Sequence, residues 1–151
     1  VTRRPYPGAG AIYELEIYTV VDRCEGVSAG LYHYDPLEHR LAKLSDQNGR
    51  LDGLLEAARN SYKGKTKTQI LVILAARFQR SQWKYASMSY AAILKDVGVL
   101  LQTMNLTATA MGLGSCVLGG GDSDLFCEAA NLDYYAETSV GELILGNPPG
   151  R

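Results

Sequence analysis

The sequence contains few of the residues on which most metal centres depend. Its 151 residues include only two histidines, His33 and His39, and no H-E-x-x-H segment. Both histidines flank a predicted hairpin turn, so we assign them structural or exposed roles rather than metal ligation. The three cysteines, Cys24, Cys116 and Cys127, stand far apart without C-x-x-C spacing. Neither a disulfide framework nor a metal site is expected, and a reducing, cytoplasmic setting is indicated.

The sequence also lacks an excess of charge and an uninterrupted apolar run. Fifteen basic residues face 16 acidic ones, which gives a formal net charge of -1, so no nucleic-acid partner is expected. Residues 90–113 are apolar but are broken by four polar residues, so they lack the roughly 20 apolar residues of a membrane-spanning helix. The chain begins without methionine and without a signal-peptide core, and we expect it to be part of a longer protein.

Hydrophobic periodicity predicts a mixture of strands and helices in one domain, residues 1–151. Alternating and continuous apolar runs predict strands, and apolar residues at helical spacing predict helices. The fold class is therefore α+β, with a mainly antiparallel sheet packed around a long central helix. The predicted elements are a strand at 12–22, a hairpin from 30–36 and 39–44, a helix through Leu51–Ala58, a central strand at 70–78, a helix at 90–111 ended by Gly112 and Gly114, a short helix capped by Asp122 or Ser123, and a last strand in "TSVGELILGNPPGR".

Two glycine-rich loops are candidate ligand sites. "RRPYPGAGAIY" places Arg3 and Arg4 before a proline-glycine loop, which can present guanidinium groups and backbone amides to a phosphate. The alternative is an ordinary turn with solvated arginines. The run Gly119–Gly121 precedes a capped helix, and it serves either close approach of a ligand or a tight turn. Neither loop matches a dinucleotide or P-loop fingerprint.

A lysine and a tyrosine, Lys84 and Tyr85, stand side by side just before the long helix. Two interpretations are open: the residues form a catalytic pair, or they are a solvated lysine beside a packed tyrosine. Tyrosine is unusually frequent, with 10 residues against 2 phenylalanines. Because a tyrosine ring combines an apolar body with a polar edge, this excess suits a flat aromatic ligand or an oligomer interface.

Five blocks of the sequence, in order, carry a family resemblance that covers nearly the whole chain. The sequence resembles the flavin-dependent azoline oxidases of the nitroreductase-like superfamily, both the cyanobactin type and the oxidase domains of nonribosomal peptide synthetases. The blocks are "RRPYPGAGAIYELEIY", "GLYHYDPLEHRL", "WKYASMSYAAILKDVGVLLQTMNLTATAMGLG", "GGGDSDLF" and "ETSVGELILG".

The resemblance implies a nitroreductase-like homodimer that binds FMN at its interface. It also implies that the chain is a flavin-binding oxidase domain without the N-terminal helices usual in the family. The relatives usually have serine where this chain has Gly8. The residues implied to contact FMN are Arg3 or Arg4 and Arg151 at the phosphate, Pro7, Gly8 and Ala9 along the ring system, and Gly119, Gly120 and Gly121 at the isoalloxazine edge.

The resemblance further implies that Lys84 and Tyr85 are the catalytic pair of an azoline oxidase. Oxidation of a thiazoline or oxazoline removes a hydride and a proton from neighbouring ring carbons. Lys84 is the implied base, which requires burial or a nearby cation such as Arg80 to lower its pKa, and Tyr85 relays the proton or bonds the ring heteroatom. The implied substrate is an azoline-containing peptide or a carrier-protein-tethered chain.

Two other functions remain open on the sequence. One is a general nitro or quinone reductase that uses NADH or NADPH. The other is a noncatalytic, flavin-poor scaffold module within a synthetase.

Overall fold

The described part of the chain forms six strands and four α-helices. The structure, a computed structural model, describes residues 4–64 and 67–148. Short 3-10 turns at Ala9–Ala11 and Ala86–Met88 precede β1 and α3. The elements are β1 (Leu15–Val21), β2 (Gly30–Asp35), β3 (Arg40–Asp46), α1 (Gly49–Ser61), β4 (Ile70–Arg77), α2 (Phe78–Tyr85), α3 (Ser89–Ala110), β5 (Gly114–Leu118), α4 (Ser123–Ala130) and β6 (Glu137–Gly146).

The strands form one antiparallel sheet in the order β3-β2-β1-β4-β6-β5. The continuous apolar run of β4 lies between β1 and β6, as predicted for a strand covered on both faces. Its side chains alternate between two cores. Leu71 and Ile73 face one core, whereas Val72 and Leu74 face the other.

Helices cover both faces of the sheet, so the sheet is the middle layer. Helices α1 and α4 pack on one face, and α3 packs on the other. Gly141 of β6 permits a close approach of α3, since a Cβ there would lie 2.7 Å from Val97 Cγ1. The predicted α+β class, with an antiparallel sheet and a long helix, is confirmed.

Helix boundaries follow local capping chemistry. Asn48 begins α1 by accepting hydrogen bonds from the amides of Arg50 and Leu51, and Asp122 begins α4 by accepting one from Leu125. Gly112, at a φ of 74°, follows the end of α3 as predicted. The second predicted stop, Gly114, instead begins β5.

Two elements depart from the sequence prediction. Residues 78–85 form α2, where the sequence indicated a strand end followed by a loop. Residues 114–118 form the edge strand β5, where a glycine loop was predicted. Both are short, and short segments carry little periodic signal.

One end of the sheet gathers the segments that contain the predicted site residues. β1 begins there and β4 ends there, because Leu15 pairs with Ala76, and β6 begins there, because Arg77 pairs with Glu137. The loop before β1 and helix α2 after β4 are therefore neighbours. The run Gly119–Gly121 leaves β5 toward the same end.

Candidate functional site

The loop that precedes β1 has a strained backbone. Gly10, Ala11 and Tyr13 have φ values of 57°, 53° and 54°, in the left-handed region. Glycine adopts this region freely, but a tyrosine there is an outlier that the surroundings must impose. Strain of this kind concentrates at ligand and active sites.

Three hydrogen bonds hold this loop against neighbouring elements. The Ala9 amide donates to Asp96 Oδ2 of α3 over 2.7 Å. Arg80 Nη1 of α2 donates to the Tyr13 carbonyl over 3.1 Å, and the Arg77 amide donates to the Glu14 carbonyl over 3.0 Å. The loop is thereby fixed to both helices that border it.

Lys84 and Tyr85 lie against this loop at Gly10. A Cβ built on Gly10 would fall 2.6 Å from the Tyr85 hydroxyl, and Lys84 Nζ would lie closer still. The Lys84 ammonium stands 5.5 Å from the centre of the Tyr85 ring. Both residues occupy the last turn of α2 rather than a loop, and the next residue, Ala86, is also left-handed. The structure thus joins the predicted catalytic pair to the predicted cofactor loop.

The surroundings of Lys84 differ from those expected for a buried base. Its side chain is exposed. Arg80, the expected neighbouring cation, donates to Glu16 Oε1 over 2.9 Å and is therefore neutralised by a carboxylate. Within the described chain, Lys84 is not enclosed.

Arg4 is held by contacts with neighbouring groups of the protein. Its Nη1 donates to the Tyr6 hydroxyl over 2.8 Å and to the Leu15 carbonyl over 3.3 Å, and its guanidinium lies 4.8 Å from the Tyr13 ring centre. Burial, ahead of the opposing hydrogen bond from Arg4, raises the pKa of Tyr6. Arg4 Nε is buried without a hydrogen-bond partner among the described residues. The other two predicted phosphate ligands, Arg3 and Arg151, lie outside the described residues.

An apolar cavity of about 600 Å³ opens between α3 and the sheet. Arg4 and Tyr6 line it together with Val72, Leu100 and Leu143. Its volume and lining are those of small-molecule sites, which are mostly apolar with few polar groups. None of its lining residues belongs to the cluster of Gly10, Lys84 and Tyr85.

The predicted run Gly119–Gly121 divides into two environments. A Cβ on Gly119 or Gly120 would meet no atom within 4 Å. A Cβ on Gly121 would fall 2.5 Å from Cδ of Glu142, a buried residue of β6 whose carboxyl pKa is raised by burial. The first two glycines are free to admit a ligand, whereas the third packs closely against the Glu142 carboxyl group.

A buried ion network braces the same end of the sheet. Arg77 links Glu16 of β1, over 3.0 Å, to Glu137 of β6, over 2.6 Å. The Tyr18 hydroxyl donates to Glu137 over 2.7 Å, and burial, followed by Glu137, raises the pKa of Tyr18. His33 Nε2 lies 2.9 Å from Glu16 Oε2, and its ring contacts the Tyr18 ring at a tilt of 42°, in agreement with its predicted structural role.

Sequence reasoning missed three residues in and around the loop before β1: Gly10, Asp96 and Glu14. Asp96 carried a usable signal, because it is an acidic residue within an apolar helical pattern and is buried in the structure. Glu14 lies within an apolar alternation and is also buried. Gly10 carried no signal that separates it from Gly8.

The structural context of one sequence motif shows that it does not form a nucleophile elbow. Residues 26–30 read G-x-S-x-G, but they join two antiparallel strands rather than a strand and a helix, which a nucleophile elbow requires. The Ser28 hydroxyl lies 2.9 Å from the Tyr32 hydroxyl and accepts a hydrogen bond from Lys43. Ser28 is therefore assigned to the hairpin.

Residues 4–64 and 67–148 contain neither a candidate metal centre nor a candidate membrane-spanning helix. They contain no group of three or more histidine, cysteine, aspartate or glutamate side chains placed to hold a metal ion. None of their helices combines the length and the apolar character needed to cross a membrane.

Comparison with known proteins identifies relatives of this chain. A family model described as the nitroreductase family matches residues 2–147. MJ1384 of Methanocaldococcus jannaschii, a protein named as a nitroreductase, is 32% identical over 113 residues, which are 75% of this chain and 56% of that protein. The microcin B17-processing protein McbC of Escherichia coli is 29% identical over 148 residues, 95% of this chain and 53% of McbC.

The fold is also found in a solved assembly. The Escherichia coli microcin synthetase McbBCD complex with truncated pro-MccB17 bound contains a chain that superposes with a TM-score of 0.85 at 24% identity. The match covers 99% of this chain and 57% of that one. The chain therefore spans about half the length of the curated relatives it matches.

Proposed function

The chain belongs to the nitroreductase family, and on that premise we propose that it binds FMN and oxidises thiazoline or oxazoline rings of a peptide to thiazole or oxazole. Members of this family are typically flavin-dependent. The observation that carries the proposal is the convergence of Lys84 and Tyr85 on Gly10, at the loop that the resemblance to azoline oxidases implies for the cofactor.

The residues present suit a flat, anionic cofactor. The open space beside Gly119 and Gly120 leaves their backbone accessible to a ring edge. The buried and unpartnered Arg4 Nε is a donor available to a phosphate once the side chain turns. We assign Arg3, Arg4 and Arg151 to the phosphate, Pro7, Gly8 and Ala9 to the ring system, and Gly119–Gly121 to its edge.

The proposed reaction divides two hydrogens of the azoline between the cofactor and the protein. When bound, FMN supplies the acceptor for the hydride. Lys84 takes the proton from the neighbouring ring carbon, and Tyr85 bonds the ring heteroatom or relays the proton. Asp96 and Arg80 keep the loop in place, through Ala9 and Tyr13, while the proton moves.

A second copy of the chain provides the enclosure that Lys84 lacks. Leu106 and Val99 of α3 are 60% and 37% exposed, and they lie on the side of α3 opposite the residues that pack on the sheet. Exposed apolar side chains that lie together on one helix face mark sites of protein association. We therefore assign this face to a homodimer interface, beside which substrate and cofactor are shielded from water.

The proposed substrate is a peptide that carries an azoline. McbC, at 29% identity, is named as a microcin B17-processing protein, which favours a peptide over a small nitro compound. A carrier-protein-tethered chain fits the same chemistry. All three cysteines are free thiols, which supports a reducing, cytoplasmic setting.

The first test is an absorbance spectrum of the purified chain with and without added FMN, together with its mass in solution. We expect a bound flavin spectrum and the mass of a dimer. A colourless monomer that does not respond to FMN would contradict the proposal and favour a noncatalytic scaffold module.

The second test is thiazoline oxidation by Lys84→Ala. Loss of the base is expected to reduce turnover about 100-fold or more, with FMN binding unchanged because Lys84 is not assigned to the cofactor. The matched control is Lys63→Ala, which removes an exposed lysine from the turn after α1. Near-normal turnover by Lys84→Ala would refute the catalytic role.

The similarity to MJ1384 favours a second candidate function, a general NADH- or NADPH-dependent reductase of nitro compounds or quinones. One assay distinguishes the two functions. Rapid NADPH oxidation with a quinone, and no product from a thiazoline peptide, would establish the reductase.

A further inference from the structure

Glu14, just before β1, is a buried carboxyl group without a donor. Its side chain is 1% exposed. Neither of its oxygens receives a hydrogen bond from the residues that the structure describes. An ionised carboxylate in such a place is costly, because burial removes its hydration and no other side chain of the described residues donates a hydrogen bond to it.

The neighbour that reaches Glu14 is a second acid. Asp96 of α3, 8% exposed, lies within hydrogen-bonding reach of the Glu14 carboxyl. Two ionised carboxylates repel each other and have no proton to share, so the contact becomes a hydrogen bond only when one of them is protonated. A single proton on one of the two acids supplies the missing donor and removes the repulsion.

The nearby cations make their hydrogen bonds and ion pairs with other groups. Arg4, from the N-terminal segment, donates Nη1 to the Tyr6 hydroxyl and the Leu15 carbonyl. Arg77 of β4, whose amide bonds the Glu14 carbonyl, directs its guanidinium to Glu16 and Glu137. Neither cation makes an ion pair with the two acids among the described residues.

We infer that Glu14 is held as a neutral carboxylic acid that donates a hydrogen bond to the Asp96 carboxylate, and that this proton positions Asp96 to hold the loop of Gly8–Gly10. Asp96 Oδ2 accepts the Ala9 amide over 2.7 Å, and Gly10 borders Lys84 and Tyr85. Glu14 is thus a positioning residue that acts through Asp96 and Ala9. The predicted effect of Glu14 on FMN binding and turnover rests on the proposed function. The prediction that Glu14 is protonated does not.

The proton has a defined effect on stability. Burial first, and Asp96 in addition, raise the pKa of Glu14 in the folded chain, against the opposing effects of its own backbone amide and of the Arg4 charge. A raised carboxyl pKa means that the folded state binds more protons than the unfolded state. The contribution of Glu14 is therefore full below the ordinary glutamate pKa of about 4.3 and is lost as the pH rises through the folded value. Above that value, repulsion between the two acids loosens the Ala9 contact.

Infrared spectroscopy of the flavin-free chain tests the proton directly. Spectra of the wild type and of Glu14→Gln are recorded as a pH series that starts just above the ordinary glutamate pKa of about 4.3. We expect the carbonyl band of a protonated carboxylic acid in the wild type and its loss in Glu14→Gln. The matched control is Glu142→Gln, a buried carboxyl on the other face of the sheet, which should keep the Glu14 band. A wild-type minus Glu14→Gln spectrum without this band overturns the inference.

The Ala9 amide provides a second readout that a purely structural role would not move. Its NMR shift should titrate with pH in the wild type and in Glu142→Gln, but not in Glu14→Gln. In Asp96→Asn, which removes the repelling charge, the Glu14 transition should move to lower pH. An Ala9 titration that persists in Glu14→Gln, or an unmoved transition in Asp96→Asn, contradicts the inference.

FMN binding separates this inference from the proposed function. Wild-type affinity for FMN should fall as the pH rises through the transition, while that of Glu14→Gln should not. A protein with the protonated band that binds no FMN keeps the inference and refutes the proposed function. A protein that binds FMN but lacks the band refutes the inference and keeps the proposed function.

Discussion

At the residue scale, Gly10 decides how Lys84 and Tyr85 can act. The Lys84 ammonium and the Tyr85 hydroxyl occupy the space into which any side chain at position 10 would project. The φ of 57° at Gly10 also lies where a side chain is disfavoured. Both reasons for glycine apply at the same position, so its replacement disturbs backbone and site together.

Gly10→Ala is expected to lose both stability and thiazoline oxidation. The left-handed backbone costs an alanine about 1 to 2 kcal/mol, and the new methyl group displaces the Lys84 and Tyr85 side chains. Urea denaturation measures the first effect, and turnover with a thiazoline peptide measures the second.

Gly26→Ala is the matched control for this prediction. Gly26 has a φ of 77°, but a Cβ there would meet nothing within 4 Å. It should show the backbone cost alone and keep its turnover. Equal turnover in the two variants would show that contact with Gly10 does not position the catalytic pair.

At the scale of an element, the link between β5 and α4 combines a packing requirement with an open face. Gly121 faces the buried Glu142, whereas Gly119 and Gly120 face open space. A run of three glycines costs conformational entropy on folding. Packing explains one of the three, and the proposed flavin contact explains the other two.

Gly121→Ala and Gly120→Ala are expected to separate these roles. Overpacking against Glu142 should destabilise Gly121→Ala by about 1 to 3 kcal/mol, while Gly120→Ala should stay close to wild type in urea denaturation. FMN titration should show weaker binding by Gly120→Ala, because its methyl group occupies space assigned to the flavin edge. Equal destabilisation by both substitutions would refute the division.

At the scale of the whole molecule, α3 indicates that one copy of the chain is incomplete. Ile93, Val97 and Leu100 bury one side of this helix against the sheet, yet Leu106 remains 60% exposed. Burial of a leucine side chain contributes about 1.5 to 3 kcal/mol. A second copy that covers this face recovers that free energy.

Leu106→Glu is expected to convert the dimer to a monomer, because it places a charge at the centre of the proposed interface. Sedimentation or light scattering measures the mass. The control is Leu37→Glu, at a side chain that is 80% exposed in the turn between β2 and β3, which should remain dimeric. If the wild type is a monomer at all concentrations, the interface assignment is wrong.

Most elements were predictable from local pattern. Alternation predicted β1 and the β2-β3 hairpin, a continuous apolar run predicted β4, and a long apolar pattern predicted α3. Helix α2 was not predictable, because Phe78–Tyr85 contains one fully buried side chain, Ser81, and so has no apolar stripe. Strand β5 was missed because its five residues are bordered by glycines.

The structure brings some of the predicted site residues together, and their roles stay predictions. Lys84 and Tyr85 meet the loop that contains Pro7, Gly8 and Ala9, and Gly119 and Gly120 are open to a ligand. The predicted enclosure of Lys84 is absent from the described chain, and Arg4 is held by contacts with neighbouring groups. The exposure of Lys84 depends on how distant elements pack, and the Arg4 contacts depend on the folded path of the loop before β1; a local pattern encodes neither.

The sequence alone determined which segments become strands and helices, because hydrophobic periodicity reports which face of each element is buried. It also determined the types of residue available for chemistry. Only the tertiary structure decided which of them meet. Antiparallel pairing of β1 with β4 brings the loop before β1 to α2, which joins Gly10 to Lys84. Packing of α3 on the sheet places Asp96 beneath Ala9 and beside Glu14, because contacts between distant elements form only when the chain closes its core.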